Sequence, residues 1–142
     1  MLTDAVALAR ACGHLAVAVE GGEEEFQGIN SRAELAAGEA ALQRRLRAAA
    51  LETGVTMTDP STVWFAADTE LGNDVTIGPN VRFGPGVTVA SNVEIAAFCD
   101  IEGCHIGNGA RIGPFARIRP GSGLAENVHV ANFMANDFAK LL

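Results

Sequence analysis

From Phe65 to Val130 the chain places an apolar side chain at every sixth position: Phe65, Leu71, Ile77, Phe83, Val89, Ile95, Ile101, then Ile106, Ile112, Ile118, Leu124 and Val130. The step from Ile101 to Ile106 is one residue short. Position two of these units is small, with Glu102 and Arg119 as the exceptions. Position four is mostly Asp, Asn or Gly, residues that tolerate the left-handed backbone of a tight corner. Position five is small or β-branched. A fixed short period of this kind marks a parallel β-helix. Each hexad predicts a short strand plus a corner, three hexads close a triangular coil, and the repeat supplies about four coils stacked roughly 4.8 Å apart. The chain therefore reads as mainly β, with positions one and five filling the prism. Phe98, Phe115 and Phe133 all fall at position four of successive coils. They predict an aromatic column on one corner, either a stiffener or a subunit contact.

Before the repeat the pattern changes. Leu2, Val6, Ala9 and Arg10 are spaced for a short helix over 2–12, with Gly13 placed to stop it. His14 to Glu20 alternates weakly (Leu15, Val17, Val19) and predicts a strand. Gly21-Gly22-Glu23-Glu24-Glu25 predicts a solvated acidic turn. Ser31 and Glu34 make the S-x-x-E pattern of a capping box, so a helix is expected to start there and run to about Thr53. Leu35, Leu42, Leu46 and Ala49 are its expected buried stripe. Arg44, Arg45 and Arg47 sit in its C-terminal half, where they suit the helix dipole. The resulting divisions are 1–31, a connector helix 32–54, the β-helix 55–135, and a tail 136–142. Asn136 is polar where an apolar position one is due, so the tail reads as a capping turn or a break in the pattern.

Composition narrows the function classes. A net charge of −7 argues against a nucleic-acid surface or an anionic membrane. Three cysteines, Cys12, Cys99 and Cys104, include no C-x-x-C pair, which fits a reducing cytoplasm. Asp4, Arg10 and His14 exclude a signal-peptide reading of the N-terminus. No apolar run is long enough to span a bilayer. His105 and His129 both precede a position-one residue and so point outward. Their separation of four hexads puts them on different faces, against a shared zinc site. A four-coil prism with an open end is expected to associate.

Several motifs resemble one family in order along the chain: Gly28-Ile29-Asn30-Ser31-Arg32 before a Leu-rich helix, Gly54-Val-Thr-Met-Thr-Asp-Pro60, Ala67-Asp68-Thr-Glu70, Ile112-Gly-Pro-Phe-Ala-Arg-Ile-Arg-Pro-Gly121 and Val128-His-Val-Ala-Asn-Phe133. They are similar to the bacterial bifunctional N-acetylglucosamine-1-phosphate uridyltransferase / glucosamine-1-phosphate acetyltransferase. The resemblance covers about residues 3 to 135. It implies the C-terminal piece of a nucleotidyltransferase α/β domain over 1–31, a connector, and the first coils of a left-handed β-helix that trimerises. It also implies acetyl transfer from acetyl-CoA to glucosamine 1-phosphate, then magnesium-dependent uridylyl transfer from UTP. The product is UDP-N-acetylglucosamine, a precursor of peptidoglycan and lipopolysaccharide, made in the cytoplasm.

Two residues carry over from the family. Asn30 matches a magnesium-coordinating asparagine, an amide oxygen suited to a hard cation. Its partner aspartate and the Gly-rich nucleotide loop have no counterpart, so a plain loop amide is the alternative role for this chain. Arg119 matches an arginine that contacts the sugar phosphate, for which a guanidinium fork is suited; a surface arginine is the alternative. The lysine that the family places 18 residues further on is Asp137 here. No catalytic residue carries over, neither cofactor is expected on this chain alone, and whether it is an enzyme stays open. The competing readings are a non-catalytic trimerisation scaffold and a stand-alone hexapeptide acyltransferase.

Overall fold

The computed structural model describes residues 2–22, 28–132 and 135–136. The chain divides into two compact units, Met1–Gly38 and Glu39–Leu142.

In the first unit, α1 spans Leu2–Ala11 and ends at Gly13, whose φ of +80° is the left-handed stop the sequence predicts. The expected strand at His14–Glu20 does not form, and Leu15 and Val19 are 89% and 81% exposed. Alternation alone cannot make a strand; it needs a neighbour for its ladder bonds, and the described residues offer none. The acidic run Glu23–Glu25 lies outside the described residues.

The helix α2 (Arg32–Glu52) opens on the predicted capping box. Glu34 N–H donates to Ser31 Oγ and Ser31 N–H donates to Glu34 Oε2, each at 3.1 Å. Its buried face differs from the expected leucine stripe. Leu35 and Leu42 are exposed, whereas Ala41, Gln43 and Ala50 are buried and Leu46 packs against the core. Small residues let this helix approach the first coil closely, and the amide of Gln43 answers a polar demand that a leucine could not meet.

The second unit is a parallel β-helix of about four coils, built from two-residue strands in three sheets. The first sheet contains β1 (Thr56–Met57), β4 (Thr76–Ile77), β7 (Glu94–Ile95), β10 (Arg111–Ile112) and β13 (His129–Val130). The second contains β2 (Trp64–Phe65), β5 (Arg82–Phe83), β8 (Asp100–Ile101), β11 (Arg117–Ile118) and β14 (Ala135–Asn136). The third contains β3 (Glu70–Leu71), β6 (Thr88–Val89), β9 (His105–Ile106) and β12 (Gly123–Leu124).

Every strand ends on a position-one residue, and those from Phe65 to Val130 are the apolar residues of the repeat. Ile77, Phe83, Ile101 and Ile106 are fully buried. Phe65 and Phe83 stack inside the prism with centroids 5.1 Å apart. The corner prediction holds at position four, where Asp74, Asn80, Asn92 and Asn127 adopt positive φ. The short unit drops one corner residue: Gly103 takes the left-handed turn (φ +55°) and Cys104 fills the position-five slot, 5% exposed.

Two elements lie outside the hexads read from sequence. Met57 is a position-one residue, in register with Ile77. Eight residues rather than six lead to Phe65, because a 3-10 turn at Pro60–Thr62 is inserted. That insertion is tied down. Asp59 Oδ1 accepts from Ser61 Oγ at 2.6 Å, and Asn80 N–H donates to Thr62 Oγ1 at 2.8 Å. At the other end the ladder passes the expected limit: Asn136 pairs with Ile118, since backbone pairing does not require an apolar side chain.

Candidate functional site

On a coil, position six points outward, so residues three hexads apart form ladders on each face. The second sheet's ladder runs Trp64, Arg82, Asp100 and Arg117. Asp100 is shared by two arginines. Arg82 Nη1 lies 2.7 Å from Asp100 Oδ1, and Arg117 Nε lies 3.6 Å from Asp100 Oδ2. Arg82 also lies 3.9 Å from Glu102 Oε2. The hydrogen bond to Asp100, and then its charge, raise the Arg82 guanidinium further above its ordinary value. These groups are substantially exposed, so each pair contributes only about 0.2–1 kcal/mol. Their value is positional, because they fix where guanidinium groups stand.

Arg119 follows Ile118 on the same face. Ile118 is in register with Ile101, so Arg119 follows Glu102 one coil on. The two residues that break the small rule at position two are thus neighbours in the stack. Glu102 fits because Gly84 lies beneath it: a Cβ at Gly84 would stand 2.8 Å from Glu102 Cγ. Among the described residues, Arg82, Arg117 and Arg119 share this face with Asp100 and Glu102. Planar guanidinium donors suit phosphate. The ladder of Arg82, Asp100 and Arg117 escapes a reading that follows apolar positions, though its 18- and 17-residue spacing is present in the sequence. Asp137 lies outside the described residues.

Asn30 lies in the first unit and is exposed. Its backbone N–H donates to Glu34 Oε2 at 2.5 Å. Glu34 is therefore committed to closing the start of the helix, and Asn30 offers one amide oxygen. Magnesium needs an octahedral oxygen shell that includes carboxylate or phosphate. Among the described residues no group of three or more His, Cys, Asp or Glu converges. The residues present do not fit a magnesium site by themselves. His105 stands on the third sheet beside Thr88 Oγ1 at 3.0 Å, and His129 stands on the first, so the histidines do not converge.

Two hollows accompany these faces. One, of about 180 Å³, lies between α2 and the first coil and includes Leu46, Ala50, Phe65 and Leu71. The other, of about 190 Å³, lies on the first sheet around Glu94, Arg111, Gly113 and His129. Arg111 Nε pairs with Glu94 Oε2 across it at 3.6 Å.

The cysteines are free thiols, Cys12 exposed and Cys99 and Cys104 buried. Burial pushes the Cys104 thiol up to about 11. It also raises Cys99, against backbone hydrogen bonds from Ala116 and Phe115. A thiolate is the reactive form, so a thiol reagent at pH 8 is expected to modify Cys12 quickly and the other two only after unfolding. The native fold binds the Cys104 proton more tightly than the unfolded chain does. The stability this contributes is whole below about pH 9 and is lost as pH rises towards about 11. Thermal melts of the chain and of Cys104→Ala across that window should converge at the alkaline end.

The Bacterial transferase hexapeptide (six repeats) family matches residues 68–103. Over 105 residues, 74% of this chain, the sequence is 62% identical to "Bifunctional protein GlmU" of Paracoccus denitrificans, covering 24% of that protein. It is 56% identical to the protein of the same name from Paramagnetospirillum magneticum, covering 23% of it. It is 63% identical to that of Rhodospirillum rubrum, covering 24%. The chain thus spans about a quarter of the length of the curated relatives it matches. Among the described residues no helix is long and apolar enough to cross a membrane.

Proposed function

We propose, from a chain that belongs to the GlmU family along 105 of its residues, that these 142 residues join the two halves of a bifunctional transferase making UDP-N-acetylglucosamine. In this reading residues 1–31 are the end of the uridylyl-transferring domain, 32–54 the connector and 55–135 the first coils of the acetyl-transferring domain. The observation that carries it is that the Gly28-Ile29-Asn30 loop and the capping-box helix precede hexapeptide repeats along the chain. A stand-alone acyltransferase has no use for that leader. The exposed Leu15, Val17, Val19 and Ile29 support a first unit built to pack against further sheet. Arg119, beside the Arg82–Asp100–Arg117 ladder, is the proposed contact for the phosphate of glucosamine 1-phosphate. Asn30 is the proposed magnesium ligand only in company with carboxylates that the described residues do not supply. Acetyl-CoA belongs to the same acetyl-transfer reading. The proposed setting is the cytoplasm, consistent with free thiols.

The proposed assembly is a trimer. Phe98 and Phe115 support it. Both hold positive φ, near +60°, and their rings stack with centroids 5.1 Å apart while staying about half exposed. Left-handed backbone costs a non-glycine residue roughly 1–2 kcal/mol, and an aromatic pair returns about 0.5–1.5 kcal/mol. An Asn would take the same corner with less strain. Their half-exposed ring surface is one on which another chain can pack.

The purified 142 residues are expected to show neither acetyl transfer to glucosamine 1-phosphate nor uridylyl transfer from UTP, and turnover of either would sink this division of labour. Sedimentation at tens of micromolar should give three times the chain mass. The double variant Phe98→Asn, Phe115→Asn should shift that mass downward with the β signal in circular dichroism intact. A monomeric parent would refute the trimer.

A further inference from the structure

A stack of coils has an open ladder at each end, and unpaired strand edges invite other strands. In the first coil, Trp64 and Ala66 N–H donate to Val81 and Phe83 carbonyls of the second coil, at 3.0 and 2.9 Å. By alternation, the N–H and C=O of Phe65 between them point the other way, where no coil lies. Both are met by one side chain. Phe65 N–H donates to Gln43 Oε1 at 2.9 Å, and Gln43 Nε2 donates to Phe65 O at 2.6 Å. Gln43 is 1% exposed, and its Nε2 donates a further bond to Glu39 Oε1 at 3.2 Å. Arg47, one turn on, donates to Val63 O at 3.1 Å and Ser61 O at 3.4 Å.

We propose that Gln43 stands in for the missing strand beneath β2, capping this sheet so that it cannot accept a strand from a second copy of the chain. A carboxamide carries the same donor and acceptor as a peptide group, so it reproduces one rung of a parallel ladder. The occupant it excludes is set by the sheet itself. In the order β14-β11-β8-β5-β2, β2 is the edge strand on the side of α2. An uncapped β2 therefore presents the Phe65 N–H and C=O to the same edge of another copy, where two Phe65 residues can exchange both bonds as an antiparallel pair.

Gln43→Leu keeps the volume and removes both bonds, and Gln43→Glu keeps an acceptor but sets a carboxylate against Phe65 O. Amide hydrogen exchange and sedimentation on the full chain test the proposal together, with Ile112 and Ile118 amides in the fourth coil as an internal measure of folding. At dilution, before copies associate, the Phe65 amide in both variants should exchange roughly tenfold faster relative to those amides. The mass of Gln43→Leu should rise above that of the parent assembly with concentration. Unchanged Phe65 protection overturns the proposal. So does lost protection with the parent mass kept at every concentration, and so does an equal loss of protection in all coils.

Discussion

Phe83→Ala is expected to destabilise the β-helix by about 3–5 kcal/mol, the range for removing a fully buried aromatic ring. Phe83 is 0% exposed and stacks on Phe65 in the coil before it, and Ile101 follows in register in the coil after it. A prism this narrow cannot collapse around the loss, because its wall is held at ladder spacing by hydrogen bonds on either side. Gly84 N–H, for example, donates to Ile101 O at 2.7 Å. Little relaxation means the cavity remains, and cavity volume sets the cost above the transfer term. Urea unfolding followed by circular dichroism at fixed chain concentration measures it as a shift in midpoint at constant slope. A loss under about 1 kcal/mol would mean the coils repack around position one, contrary to a rigid wall.

The same wall explains how much of the fold was legible in advance. Position one is read directly from sequence because each inward residue must be apolar whatever its neighbours are, so Phe65 to Val130 needed no tertiary information. Met57 was not legible. Its unit carries a two-residue insertion around Pro60–Thr62, and only ladder register, Met57 with Ile77, places it in the stack. The inner face of α2 was misread for a related reason. Apolar periodicity nominated Leu35 and Leu42, yet the face that meets the coil is chosen by what the coil's edge needs, which at Phe65 is an amide. The strand expected at His14–Glu20 was a local pattern whose realisation depends on a neighbour. At the candidate site, Arg119 was visible as a breach of the small rule. Its setting among Arg82, Asp100, Glu102 and Arg117 became visible only once register was known, since the short unit changes one spacing from 18 to 17 residues.

Gly78→Val should be the most damaging change that deletes nothing, at about 3 kcal/mol, the upper part of the range for overpacking. Position two is small because it faces the next coil's backbone. A Cβ at Gly78 would stand 2.7 Å from Ala97 N, 3.1 Å from Ala96 C and 3.2 Å from Ala97 Cα. These are main-chain atoms, so no side chain can swing aside, and the coils must part where Gly78 N–H donates to Ile95 O at 2.8 Å. Two other glycines separate this effect from its alternatives. Gly121 has φ +84° with nothing within 4 Å of a built Cβ, so Gly121→Ala tests backbone strain alone, about 1 kcal/mol. Gly123 has neither positive φ nor a near neighbour, so Gly123→Ala should be neutral or gain up to about 1 kcal/mol by restricting the unfolded chain. Denaturant midpoints should therefore rank Gly123→Ala highest, Gly121→Ala next and Gly78→Val lowest. Equal losses at Gly78 and Gly121 would show that conformational freedom, and not the distance between coils, keeps position two small.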